Sequence, residues 1–61
     1  MPVRVSNVFW ARFYWLLDNN GYELKSAWME AKAHMRKTLN LTQDEADQYS
    51  KELWEEFLEW C

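Results

Sequence analysis

The sequence predicts an all-α fold, a small three-helix bundle, and three observations carry that prediction. Chain breakers are scarce, with one glycine and one proline among 61 residues. Only two polar interruptions divide the chain, "DNNG" at residues 18 to 21 and "NLTQDE" at residues 40 to 45. Between them apolar residues recur three and four apart, the helical period, and no stretch alternates in the manner of a strand. The predicted helices cover about residues 7–19, 22–38 and 43–60 of a single domain spanning 1–61. Short connections favour antiparallel neighbours, hence an up-down-up bundle.

Each element has its own start and stop signals. For the first helix, Ser6 is the expected cap of the free N–H groups, with Val5 and Trp10 at the spacing of a hydrophobic staple. Gly21 follows it, able to adopt the left-handed conformation that ends helices. The second helix is expected to start at Tyr22 or Glu23, capped by Asn20, and to end near Thr38. The third has the strongest start. Thr42 and Glu45 have capping-box spacing, Leu41 and Ala46 have staple spacing, and Asp44 and Glu45 suit the positive end of the helix dipole.

Projection at 100° per residue assigns the faces. In the second helix, Leu24, Ala27, Trp28, Ala31, Met35 and Leu39 share one stripe, with His34 at its edge. In the third, Ala46, Tyr49, Leu53, Trp54, Phe57 and Trp60 share another. Both stripes are expected to be core. The first helix is different. Val5, Phe9, Trp10, Phe13, Leu16 and Leu17 form a core face, while Val8, Ala11, Tyr14 and Trp15 lie opposite, with Arg12 near one edge. A helix that is apolar nearly all round is normally buried nearly all round, which a bundle this small has trouble achieving. The second face therefore predicts contact with another chain, a protein partner or a second copy in a homodimer, unless tryptophans of the third helix cover it.

Size and composition narrow the function. A domain of this length buries only about 60% of the surface its unfolded chain exposes, and the usual staples are disulfides or a metal. One cysteine, Cys61, and one histidine, His34, provide neither a disulfide framework nor the paired Cys/His spacing of a structural zinc site. Five Trp, three Tyr and three Phe stand in for chain length. A lone cysteine suits a reducing compartment. The apolar run from Val8 is interrupted by Arg12, lacks a cleavage site, and is far short of the roughly 20 residues that span a bilayer. The expected location is the cytoplasm, and the expected reading frame is complete from Met1.

No reaction centre is expected. Cys61 and His34 are the only nucleophile–base pair available, nothing in the sequence places them together, and acidic neighbours raise a thiol pKa. "DNNGYELKSAWME" fails as a calcium loop, because the position requiring glycine is Glu23. One glycine cannot build a phosphate-cradling loop. We therefore expect no enzyme, no cofactor, no metal and no small-molecule substrate.

Charge is divided along the chain. Residues 1 to 41 carry Arg4, Arg12, Lys25, Lys32, Arg36 and Lys37 against Asp18, Glu23 and Glu30, a net of +3. Residues 42 to 61 carry Asp44, Glu45, Asp47, Glu52, Glu55, Glu56 and Glu59 against Lys51, a net of −6. Glu45, Glu52, Glu55, Glu56 and Glu59 lie away from the apolar stripe as an acidic ridge, with Glu52, Glu55 and Glu59 its candidate contact residues. That ridge reads as a solvated face, or as a surface that docks on a basic host protein or mimics phosphates. The alternative function is a nucleic-acid-binding regulator acting through the basic second helix. Direct DNA binding is not the first expectation, because the chain is acidic, with pI ≈ 4.9, whereas DNA-binding domains are typically basic. A membrane-surface role is disfavoured by the weak polar face of the first helix.

The aromatic-dense "NVFWARFYWLLDNNGYELKSAWMEAK" and the acidic, Trp-rich "KELWEEFLEW", in so short a frame, resemble the small accessory proteins that temperate, lambdoid-type bacteriophages encode in their early regions. The resemblance carries no residue-level motif. It implies a regulatory protein in the host cytoplasm that acts by binding host factors, in host takeover or in adjusting lysis against lysogeny. The expected function is thus a non-enzymatic protein-interaction module. Its candidate partner-binding residues are Val8, Ala11, Tyr14, Trp15, Glu52, Glu55 and Glu59.

Overall fold

Three helices form where the sequence has its three periodic segments: α1 (Val3–Asn19), α2 (Leu24–Thr38) and α3 (Gln43–Trp60). A computed structural model describes residues 2–19 and 21–60. The fold is all-α, with no strand among the described residues.

α1 begins near the chain start, earlier than Ser6 predicts. The N–H groups of Val5 and Ser6 donate to the Pro2 carbonyl at 3.2 and 3.3 Å. The Pro2 carbonyl thus accepts the first helical bonds, and its fixed φ and missing N–H cost nothing at a helix start. Ser6 is therefore inside the helix rather than its cap, and Val5 is a buried core residue rather than half of a staple. At the other end Gly21 adopts φ +64°, as expected, and the Tyr22 N–H reaches back to the Leu16 carbonyl at 3.3 Å.

α2 starts at Leu24, slightly later than the sequence predicts. Glu23 occupies the cap position in an extended conformation, without a side-chain capping bond. The expected capping residue, Asn20, lies outside the described residues. The end of α2 is a Schellman turn that sequence reading did not foresee. The Leu41 N–H donates to the Arg36 carbonyl at 2.9 Å and the Asn40 N–H to the Lys37 carbonyl at 3.4 Å, with Asn40 at φ +55°. Asparagine is the residue besides glycine that most readily takes this conformation. Arg36 and Lys37 in the last turn complement the negative end of the dipole.

The start of α3 is the predicted capping box. The Glu45 N–H donates to Thr42 Oγ1 at 3.2 Å, and the Thr42 N–H donates to Glu45 Oε1 at 3.0 Å. Leu41 and Ala46 both join the core. Thr42→Ala removes one half of this reciprocal pair and should lower stability by about 0.5–2 kcal/mol, read as a shifted urea midpoint with unchanged slope.

Pairings along the helices show the up-down-up course. Lys32 pairs with Asp47, Trp28 with Ser50 and then Trp54, so α2 and α3 run antiparallel. Thr38 lies beside the start of α1 and Glu30 beside Leu16, so α1 and α2 are antiparallel as well. The core is Val5, Phe9, Phe13 and Leu16 of α1, Ala27, Ala31 and Met35 of α2, and Ala46 and Leu53 of α3. Ala27 and Ala31 are fully buried, and such small side chains let the α1 backbone approach α2 closely. α3 stays farther from α1, and rings fill the gap. Phe57 lies 5.9 Å from Phe13 and 6.1 Å from Trp10, and Trp60 stacks on Trp10 at 6.4 Å. The packing comes at a polar cost, since Trp10 Nε1 is buried without a hydrogen-bond partner.

Three stripe residues depart from the expected core. Leu24 is 46% exposed, Trp54 42% and Trp60 70%. Each projects toward the bundle on its own helix, but near an end or flank where no neighbouring helix extends to cover it. Ser50 is the converse case, buried at 9% exposure and accepting a hydrogen bond from Trp28 Nε1 at 3.1 Å. Its spacing from Ala46 and Leu53 puts it in the apolar stripe, the one sequence signal that marks it.

Candidate interaction surface

The second apolar face of α1 remains uncovered at its centre. α3 lies along the Trp10 flank, where Phe57 and Trp60 stack on Trp10, and the other edge of α1 is open. Trp15 is 46% exposed. Arg12 Cζ lies 4.8 Å from the Trp15 ring centroid, a cation–π contact worth about 0.5–1 kcal/mol at an exposed site. Asn19 Nδ2 donates to the Trp15 carbonyl at 3.3 Å, tightening the last turn beneath the ring.

The fold gathers Val8, Ala11 and Trp15 into one open groove of about 520 Å³ between α1 and the end of α2. Asn7, Arg12, His34 and Thr38 complete its walls. His34 and Thr38 face each other, with Oγ1 3.3 Å from Nε2. Burial lowers the pKa of His34 from its ordinary value, and the nearby Arg12 guanidinium lowers it further. The neutral imidazole is the favoured form in this setting, leaving Arg12 as the groove's fixed positive charge.

Tyr14 does not belong to this groove. Its ring stacks on Trp10 at 5.8 Å and meets the Phe13 edge at 5.4 Å, on the α3 side of α1. The four residues that share one side of a helical projection are thus split into a groove-lining set and one residue leaning on the core cluster.

Glu52, Glu55 and Glu59 are exposed on α3. None of them forms an ion pair with a described residue. The ion pair observed joins Lys32 to Asp47 instead. Hydrogen bonds from Lys32 and then Gln43 hold the Asp47 carboxyl below the usual carboxylate range. Replacing Glu52, Glu55 and Glu59 together by Gln should leave the thermal midpoint nearly unchanged or slightly raised, because like charges one turn apart repel. A drop of many degrees would show that these carboxylates support the fold.

Among the described residues, no group of three or more His, Cys, Asp or Glu side chains is placed to hold a metal ion. Cys61, one member of the only conceivable nucleophile–base pair, lies outside the described residues. No helix among them is long and apolar enough to cross a membrane. No family model, curated protein or solved structure matches the chain.

Proposed function

We propose that the chain is a non-enzymatic protein-interaction module that binds another protein through the α1 groove around Trp15. The biological setting implied by the sequence resemblance is that of a phage accessory or regulatory protein acting on a host factor in the host cytoplasm. One observation carries the reading: a tryptophan 46% exposed on a helix whose opposite face is locked into the core. Tryptophan presents a large contact area on a short side chain, and it is enriched among the residues that dominate binding energy.

The acidic ridge of α3 is a second contact region in this proposal, suited to a basic partner surface. A nucleic-acid-binding regulator is the alternative. It draws on Lys25, Arg36 and Lys37, none of which forms an ion pair with a described residue. Retention on DNA or heparin that falls steeply with salt would favour that alternative.

Trp15→Glu tests the main reading. Truncation of a hot-spot residue costs at least about 2 kcal/mol, so capture of partner proteins from a bacterial lysate should fall by more than tenfold. The helical circular dichroism spectrum should stay that of the parent. Unfolding of the variant would make Trp15 a structural residue, and undiminished capture would move the site elsewhere.

A further inference from the structure

The seam between α2 and α3 carries a second apolar surface, on the side of α2 turned away from the α1 groove. Leu24, Lys25, Trp28, Met29 and Trp54 line a depression of about 440 Å³. Leu58 follows Trp54 by one turn on the same flank of α3. Met29 is 62% exposed and Leu58 54%, beside the part-exposed Leu24 and Trp54. A contiguous apolar patch with polar edges marks an interaction site on a small protein. Leu24 and Trp54 lie on the core sides of their own helices, yet the monomer leaves both part-exposed.

We propose that a second copy of the chain docks on this seam, about a two-fold axis running along the helices. The charge division of the chain is the argument for that occupant. On the seam side α2 presents Lys25, Lys32 and Arg36, and α3 presents Asp44, Asp47 and Glu55 beside Lys51, its other carboxylates lying away from the seam. Within one copy, the ion pair observed between them is Lys32 with Asp47, so most of this opposite charge is unused. A two-fold axis along the helices lays α2 of each copy across α3 of the other, basic against acidic. The other in-plane axis would set α2 on α2 and α3 on α3, like charge against like. Rotation about the chosen axis preserves level along the helices. Lys25, which borders the depression beside Trp54, then comes opposite the partner's Glu55, and the reciprocal pair forms by symmetry. The apolar side chains of the two patches meet between these charged edges, the core-and-rim arrangement of stable interfaces. The α1 groove stays free, so the dimer would present two copies of it. This assignment stands independently of the role given to Trp15, but it takes Glu55 out of the ridge offered to another protein. At concentrations where the dimer forms, the variant with Glu52, Glu55 and Glu59 replaced by Gln should therefore lose the dimer's share of stability.

Light scattering coupled to size exclusion tests it on the full chain across a wide concentration range. The parent should have the mass of two chains and dissociate on dilution. Met29→Glu and Leu58→Glu, both at exposed positions, should each weaken the dimer by at least about tenfold while keeping the parent's circular dichroism. Trp15→Glu should remain dimeric. Lys25→Glu and Glu55→Lys should each weaken self-association, and mixing these two variants should restore dimers, because both interchain pairs become attractive again. A parent monomeric at every concentration, or a dimer indifferent to Met29→Glu and Leu58→Glu, overturns the proposal. Dissociation by Trp15→Glu would place the contact on α1 instead, and failure of the mixed charge variants to recover would rule out the axis.

Discussion

Phe13→Ala should cost about 3–5 kcal/mol, the usual range for truncating a buried aromatic side chain. Phe13 is fully buried and touches every helix. Its ring stacks with Phe9 at 5.8 Å within α1, meets Trp28 of α2 at 5.3 Å and meets Phe57 of α3 at 5.9 Å. A chain of this length has a total stability of roughly 3–9 kcal/mol. The loss is therefore comparable to the whole, and the variant should be largely unfolded under conditions where the parent is folded. Urea titration followed by circular dichroism measures it. A change below about 1 kcal/mol would mean that the three helices are not held together by this ring cluster.

Trp28→Ala should be about as damaging, for a compound reason. Trp28 sits at the centre of the rings, with Phe9 at 4.6 Å, Trp54 at 5.1 Å and Phe57 at 5.8 Å. It also donates Nε1–H to Ser50 Oγ at 3.1 Å. Truncation removes the packing, about 3–5 kcal/mol, and with it the hydrogen bond to Ser50, whose net worth is about 0.5–1.5 kcal/mol. Trp28→Phe keeps much of the ring volume and separates the two contributions. In a Ser50→Ala background it should cost less than in the parent, by roughly the net worth of one hydrogen bond, 0.5–1.5 kcal/mol. Equal costs in both backgrounds would show that the hydrogen bond adds nothing beyond packing.

Local signals were legible where their physics is local. Thr42 and Glu45 are three residues apart and need nothing but each other, so their capping box could be read from spacing and is found intact. Gly21 was similarly plain, because its left-handed turn depends on the absence of a side chain. The start of α1 was misread because Ser6 is a competent cap taken alone, whereas burial of Val5 in the core draws the helix back to Pro2. The Schellman turn at Asn40 was missed because its sequence mark, one asparagine after a basic turn, is weak.

For the interaction surface, the sequence set Val8, Ala11 and Trp15 on the second face of an over-apolar helix, and all three line the groove, with Val8 also partly buried against the core. Tyr14 was grouped with them because a helical projection separates inside from outside without saying which neighbour stands at each edge. With α3 on the Trp10 side, Tyr14 leans there and Trp15 stays in the groove with His34. The depression at Leu24, Met29 and Trp54 had no sequence signature, since two of its residues projected as core and the third as ordinary surface.

By itself, then, the amino-acid order determined the all-α class, three helices, the cap of α3 and the second apolar face of α1. Each follows from relations within one helical turn or from the period of 3.6 residues, which act before any helix meets another. Only the tertiary structure decided which stripe residues are covered. Ser50 is enclosed because Trp28 reaches over it from α2. Trp54 and Leu24, apolar and correctly oriented, stay part-exposed because no third helix extends over the seam. Burial is a property of the neighbour as much as of the residue, and the neighbour is set by how α3 crosses α1 on a layer of aromatic rings.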